Sequence, residues 1–138
     1  MDKFDWARTK VLIVDDDPAI AQLIDIVLRQ LGVKLIASAD NGQDALDRLQ
    51  KKVQTPNIII LDMQMPVMNG FEFIKKLRDI PDCELNSIAV LACTAIAKQE
   101  VVNEAQRLGV NGFIVKPFSA KSLSERLETV LEPIMNPA

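Results

Sequence analysis

The sequence predicts an α/β fold: a doubly wound parallel sheet of five strands, order 2-1-3-4-5, with helices on both faces. Three observations carry the prediction. Short apolar runs alternate with segments patterned at helical spacing along the whole chain. The runs Val11 to Val14 and Ile58 to Leu61 are continuous and mostly β-branched, as suits strands buried on both faces. Both run straight into aspartate, and the carboxyl ends of strands in such a sheet face the crevice where ligands bind.

Val11-Leu12-Ile13-Val14 makes the first strand and leads into Asp15-Asp16-Asp17-Pro18. Asp17 reads as a helix N-cap with Pro18 at the first helical position, and Ile20, Leu23, Ile24, Val27, Leu28 and Leu31 repeat at helical spacing until Gly32. Lys34 to Ser38 is a short second strand, Asn41-Gly42 a turn, and Ala45, Leu46, Leu49 and Val53 mark one face of the second helix. Ile58-Ile59-Ile60-Leu61 then ends at Asp62, and Pro66 and Gly70 break the segment beyond it. Phe71, Ile74, Leu77 and Arg78 pattern the third helix, which Pro81 closes. Ile88 to Cys93 is a fourth buried strand ending at Thr94. Lys98 to Leu108 forms a fourth helix whose apolar face of Val101, Val102, Ala105 and Leu108 is thin, and Gly109 ends it. Phe113-Ile114-Val115 is the fifth strand, stopped by Lys116-Pro117, and Leu123, Leu127, Val130, Leu131 and Ile134 pattern the last helix. The expectation is one domain over residues 9–132 with terminal extensions 1–8 and 133–138.

At 138 residues the chain can bury one core without a disulfide or structural metal. Its apolar runs fall far short of the ~20 residues of a membrane span, and the first residues lack the pattern of a secretory signal, so a cytoplasmic protein with no membrane partner is expected. A net charge of −3 without a long basic run argues against nucleic-acid binding by this domain. Cys83 and Cys93 have no metal-ligand spacing and read as plain thiols. The absence of histidine excludes Ser-His and Cys-His nucleophile pairs and imidazole metal ligands.

In the order 2-1-3-4-5, strands 1, 3, 4 and 5 are neighbours, and their carboxyl ends bring Asp15, Asp16, Asp62, Thr94 and Lys116 to one edge of the sheet. Crowded carboxylates repel one another and call for a counter-ion. All-oxygen ligands with room for water and a phosphoryl oxygen suit Mg²⁺, with Mn²⁺ as the substitute. Asp62, on the central strand, is the natural nucleophile toward a phosphoryl group, whose oxygens Lys116 and Thr94 would stabilise. Asp17 is the cap and stays outside the site. Met63, Met65 and Met68 read as gap fillers beside the core, and Phe4 and Trp6 carry no functional reading.

Together, Val14-Asp15-Asp16-Asp17-Pro18, Leu61-Asp62-Met63-Gln64-Met65-Pro66 with Asn69-Gly70, Thr94-Ala95, and Phe113-Ile114-Val115-Lys116-Pro117-Phe118 resemble the receiver domain of two-component response regulators, of the single-domain chemotaxis-regulator kind. The resemblance implies the flavodoxin-like fold. It implies that Asp62 takes a phosphoryl group from a phosphohistidine on a sensor histidine kinase or histidine phosphotransfer protein. It also implies Mg²⁺ held by Asp16, Asp62 and the Gln64 backbone carbonyl with Asp15 aiding through water, and a cis Lys116-Pro117 bond. Thr94 and the aromatic on strand five, here Phe113, would form the switch that repacks the face of the fourth helix, fifth strand and fifth helix. Gln64 and Ile96 stand where the family tunes loss of the phosphoryl group. The chain is then a signalling switch with autodephosphorylation chemistry and not an enzyme; its downstream target, and homodimerisation through the switch face, stay open. Two other functions remain: a receiver-like interaction module working without phosphorylation, and an aspartate-nucleophile phosphatase. The latter wants a second acid where this chain has Gln64, which cannot act as general acid or base.

Overall fold

The computed structural model describes residues 5–65, 67–95 and 98–135. Pro66, Ile96 and Phe4, named above, lie outside the described residues. A short 3₁₀ turn, Trp6–Arg8, precedes β1 (Lys10–Val14), α1 (Pro18–Leu31), β2 (Leu35–Ala39), α2 (Gly42–Gln50), β3 (Ile58–Asp62), α3 (Gly70–Asp79), α4 (Cys83–Asn86), β4 (Ala89–Thr94), α5 (Gln99–Arg107), β5 (Gly112–Val115) and α6 (Ala120–Met135). The five strands form one sheet in the order β2-β1-β3-β4-β5, every pair parallel, as the sequence predicts. Because strand side chains alternate between faces, β3 feeds two cores: Ile59 and Leu61 pack on the side of α2, α3 and α5, while Ile58 and Ile60 pack on the side of α1 and α6.

The expected fourth and fifth helices are α5 and α6, since a single extra turn, α4, intervenes after Pro81. Asp82 accepts from the Glu84 backbone N–H at 2.9 Å and so caps a turn too short to show any periodicity. Asp17 caps α1 by accepting from the Ala19 N–H at 2.9 Å. Asn41, expected in a turn, is instead the N-cap of α2. Three residues assigned to apolar helix faces are exposed: Leu23 (44%), Val53 (62%) and Ile134 (44%). Val53 lies past the end of α2, and Leu23 and Ile134 sit at the margins of faces whose centres, Ile24, Leu28, Leu127 and Leu131, are buried. Trp6 packs, partly buried, against the α1 and α6 core. No helix among the described residues is long and apolar enough to cross a membrane.

At the end of the sheet away from the strands' carboxyl ends, the Arg78 guanidinium joins three elements. Nη1 donates to the Asn86 and Ile88 carbonyls at 2.9 and 2.7 Å, and Nη2 donates to the Gly109 carbonyl at 2.6 Å and Asn111 Oδ1 at 3.3 Å. All four acceptors are neutral, and burial pushes the guanidinium below its usual range.

Candidate functional site

Four strands deliver the side chains expected at the carboxyl edge. Asp15 follows β1, Asp62 and Thr94 are the last residues of β3 and β4, and Lys116 follows β5. Asp15, Asp62 and Thr94 are buried, while Asp16 is exposed at the mouth. One carboxylate oxygen from each of Asp15, Asp16 and Asp62 lies within 4.8 Å of the others. The Lys116 ammonium reaches into the group, 3.3 Å from Asp15 Oδ2 and 3.3 Å from Asp62 Oδ1. Backbone donors fix the two buried acids: the Asp17 N–H donates to Asp15 Oδ1 at 2.8 Å, and the Gln64 N–H donates to Asp62 Oδ1 at 3.1 Å. The Lys116-Pro117 peptide is cis.

Burial pushes the Asp62 carboxyl above its ordinary value. The Gln64 amide pulls it back, Asp15 raises it again, Lys116 lowers it, and the net direction is upward. For Lys116 burial acts to lower the ammonium, but the charges of Asp15 and Asp62 outweigh it and the group is raised. Lys116 therefore stays charged through the neutral range. Three carboxylates around one ammonium leave an excess of negative charge, and their hard oxygens fit a hard divalent cation such as Mg²⁺. Asp15, Asp16 and Asp62 could hold it.

From the sequence, Gln64 has a backbone ligand role and a place where the family tunes loss of the phosphoryl group, but no side-chain partner. Its side chain also donates through Nε2 to Thr94 Oγ1 at 2.7 Å, and its Oε1 accepts from the Ala95 N–H at 3.3 Å. The loop after β3 thus ties directly to the end of β4. A glutamine can donate and accept at once, which was the only signal in the sequence for this bridge. Phe113 is half-buried and packs against the core on the α2, α3 and α5 side. Cys93 is buried opposite Asp62 in the ladder, and desolvation pushes its thiol up to about 12.

The loop between Asp62 and α3 is anchored from beneath. Met63, Met65 and Met68 are all buried, as gap fillers should be. The Gly70 N–H donates to the Met63 carbonyl at 3.1 Å, and a Cβ at Gly70 would stand 2.7 Å from the Met63 Cα, so only glycine permits this approach. Asn69 and Glu72 close a reciprocal capping box at the start of α3. Val67, by contrast, is 86% exposed and holds a φ of 71°, a left-handed conformation that a β-branched residue adopts only under strain.

Comparison with known proteins agrees with this arrangement. The profile of the response regulator receiver domain matches residues 11–128. Chemotaxis protein CheY-3 of Vibrio cholerae is 41% identical over 123 residues, spanning 89% of this chain and 92% of that protein. Chemotaxis protein CheY of Pseudomonas aeruginosa is 38% identical over 125 residues, spanning 91% and 98%. Among solved structures, chemotaxis protein CheY4 of Vibrio cholerae superposes with a TM-score of 0.81 at 35% identity, covering 89% of this chain and 98% of that one. Matches of that extent, on this strand order and with the acidic cluster at this edge, place the chain in the response regulator receiver domain family, among its CheY-like members.

Proposed function

We propose that residues 9–132 work as a two-component signalling switch in the cytoplasm, with Asp62 as the phosphoacceptor. The observation that carries the assignment is the Asp62 carboxylate, held between the Gln64 amide and the Lys116 ammonium on the central strand, with Asp15 and Asp16 beside it. A carboxylate oxygen of Asp62 attacks phosphorus, and the bond from phosphorus to the donor breaks as the new O–P bond forms. The chain contains no histidine, so a phosphohistidine donor must come from a partner, a sensor histidine kinase or a histidine phosphotransfer protein. Lys116 and Thr94 stabilise charge on the transferred oxygens. Asp16, Asp62 and the Gln64 carbonyl would hold Mg²⁺ with Asp15 beside them. When bound, the ion neutralises the acids and polarises the phosphoryl oxygens.

Turning the Thr94 hydroxyl toward a phosphoryl group requires release of its bond from Gln64, and Phe113, already half-buried, can then follow by packing alone because it has no hydroxyl. The face of α5, β5 and α6 would carry the signal to a downstream target. Loss of the phosphoryl group to water resets the switch, with no separate substrate turned over. Incubation with Mg²⁺ and acetyl phosphate is expected to add one acid-labile phosphoryl group by intact mass, and chelation of the metal is expected to abolish it. An equal gain in Asp62→Asn would overturn the assignment.

A further inference from the structure

Among the described residues the sheet ends in β2 on one side and β5 on the other, and the two edges are guarded differently. β5 is four residues long, begins with Gly112 and runs into Lys116-Pro117, and a proline has no N–H to offer a ladder. β2 is five residues, Leu35-Ile36-Ala37-Ser38-Ala39, with no charge, proline or glycine among them, and among the described residues it pairs with β1 alone. Its orientation is fixed by one bond. The Ala39 carbonyl accepts from the Asp15 N–H at 3.2 Å, on the β1 side. Strand alternation then turns the N–H and C=O groups of Ile36 and Ser38 toward the open edge, with Lys34 and Asp40 flanking the strand at either end.

That edge is self-complementary. If two copies lie antiparallel about a two-fold axis at Ala37, each Ile36 meets the other copy's Ser38 as a hydrogen-bonded pair, and each Lys34 meets the other copy's Asp40. The neighbouring registers that also match outward groups centre on Ile36 or on Ser38. They would set Lys34 opposite serine or Asp40 opposite isoleucine, leaving the charges unmatched. Lys34, Ser38 and Asp40 are exposed, and Leu35 is 37% exposed. By the same alternation Ile36 and Ser38 share the α1 face, where a groove of about 400 Å³ lined by Asp25, Arg29, Ile36, Ser38 and Asp40 runs along the strand. Asp25 and Arg29 carry both signs, so two copies of this face do not repel one another.

We propose that the β2 edge is a homodimerisation surface, on which two copies of the chain join their five-stranded sheets antiparallel about Ala37, with Lys34 of each against Asp40 of the other. This surface is separate from the face of α5, β5 and α6. Pairing through one short strand is a small interface, so association is expected at about 0.1 to 1 mM chain, at the weak end of specific contacts.

Sedimentation equilibrium of the wild-type chain across that range is expected to show the mass rising above 15.3 kDa toward twice that value. Lys34→Glu and Asp40→Lys are each expected to hold the chain monomeric, and the double exchange is expected to restore the dimer. Both residues are exposed, so the variants keep the fold, which circular dichroism checks. A carbodiimide provides a second reading by condensing the Lys34 amine with the Asp40 carboxylate into an amide, the lost water being taken up by the reagent as a urea. Within one extended strand these residues stand about 20 Å apart, so the joined peptide pair reports contact between copies only. A wild-type chain that stays monomeric at about 1 mM overturns the proposal. So does a dimer that survives either single exchange, or one that the double exchange fails to restore.

Discussion

Lys116→Met keeps much of the side-chain stem and removes the charge. In the wild-type chain the ammonium lies 3.3 Å from a carboxylate oxygen of Asp15 and 3.3 Å from one of Asp62, with 18% of the lysine side chain exposed. At that separation each pair is worth about 5 kcal/mol at an effective dielectric near 20, before the desolvation of the ammonium is subtracted. Removing one partner of a buried pair typically costs about 3–5 kcal/mol. Here Asp16 opens the crevice to solvent, so water takes up part of the charge, and the expected loss is about 2–3 kcal/mol. For a domain of this length that is a fall in Tm of about 6–12 °C. Urea titrations and thermal melts at neutral pH, with and without Mg²⁺, measure it. Because methionine leaves the acids uncompensated, added Mg²⁺ is expected to recover more stability in the variant than in the wild type. The double variant Lys116→Met with Asp62→Asn is expected to regain most of the loss. A single variant within about 0.5 kcal/mol of wild type refutes the reasoning, as does a loss that Asp62→Asn does not relieve.

Three further outcomes follow from the same structure. Burial, with Asp15 adding to it, raises the Asp62 carboxyl above 3.8, so the folded chain binds a proton there before the unfolded chain does; stability from this group is gained as pH falls through the raised value and lost as pH rises. Asp62→Asn is therefore expected to raise Tm at neutral pH and to lessen the gain on mild acidification, and an unchanged pH profile counts against it. Arg78→Met strands three carbonyls, including that of buried Ile88, and is expected to lose about 2–3 kcal/mol in urea unfolding; a loss under about 1 kcal/mol would mean water replaces the guanidinium. Val67→Asn relieves a left-handed valine that is 86% exposed and packs little, with an expected gain of about 1 kcal/mol and no fall in Tm.

The sheet and its acids were legible because each announces itself locally. Ile58 to Leu61 is a short, largely β-branched run of the kind a strand buried on both faces shows, and Asp62 at its tip gains meaning from the ends of β1, β4 and β5. What stayed hidden depends on contacts distant in sequence or on segments too short for a period. The Arg78 bonds reach carbonyls up to 31 residues away, and backbone oxygens carry no sequence signature. The Gln64 to Thr94 bond spans 30 residues. α4 is four residues, less than two helical turns, so Pro81 looked like an ending when it precedes a capped turn. Leu23 and Ile134 show the same limit: periodicity finds the centre of a buried face but not how far round the helix the neighbour reaches.

The approach of Gly70 to Met63 makes the segment between them a caliper whose jaws cannot open. Its base is closed by one hydrogen bond and by the missing side chain, so the acceptor strand and the first turn of α3 move as one piece. The exposed side chain of Val67 stands on that segment, away from the closed base. A substitution at Gly70 would therefore register first as misplacement of the carboxylate at position 62, and only afterwards as a weakened helix.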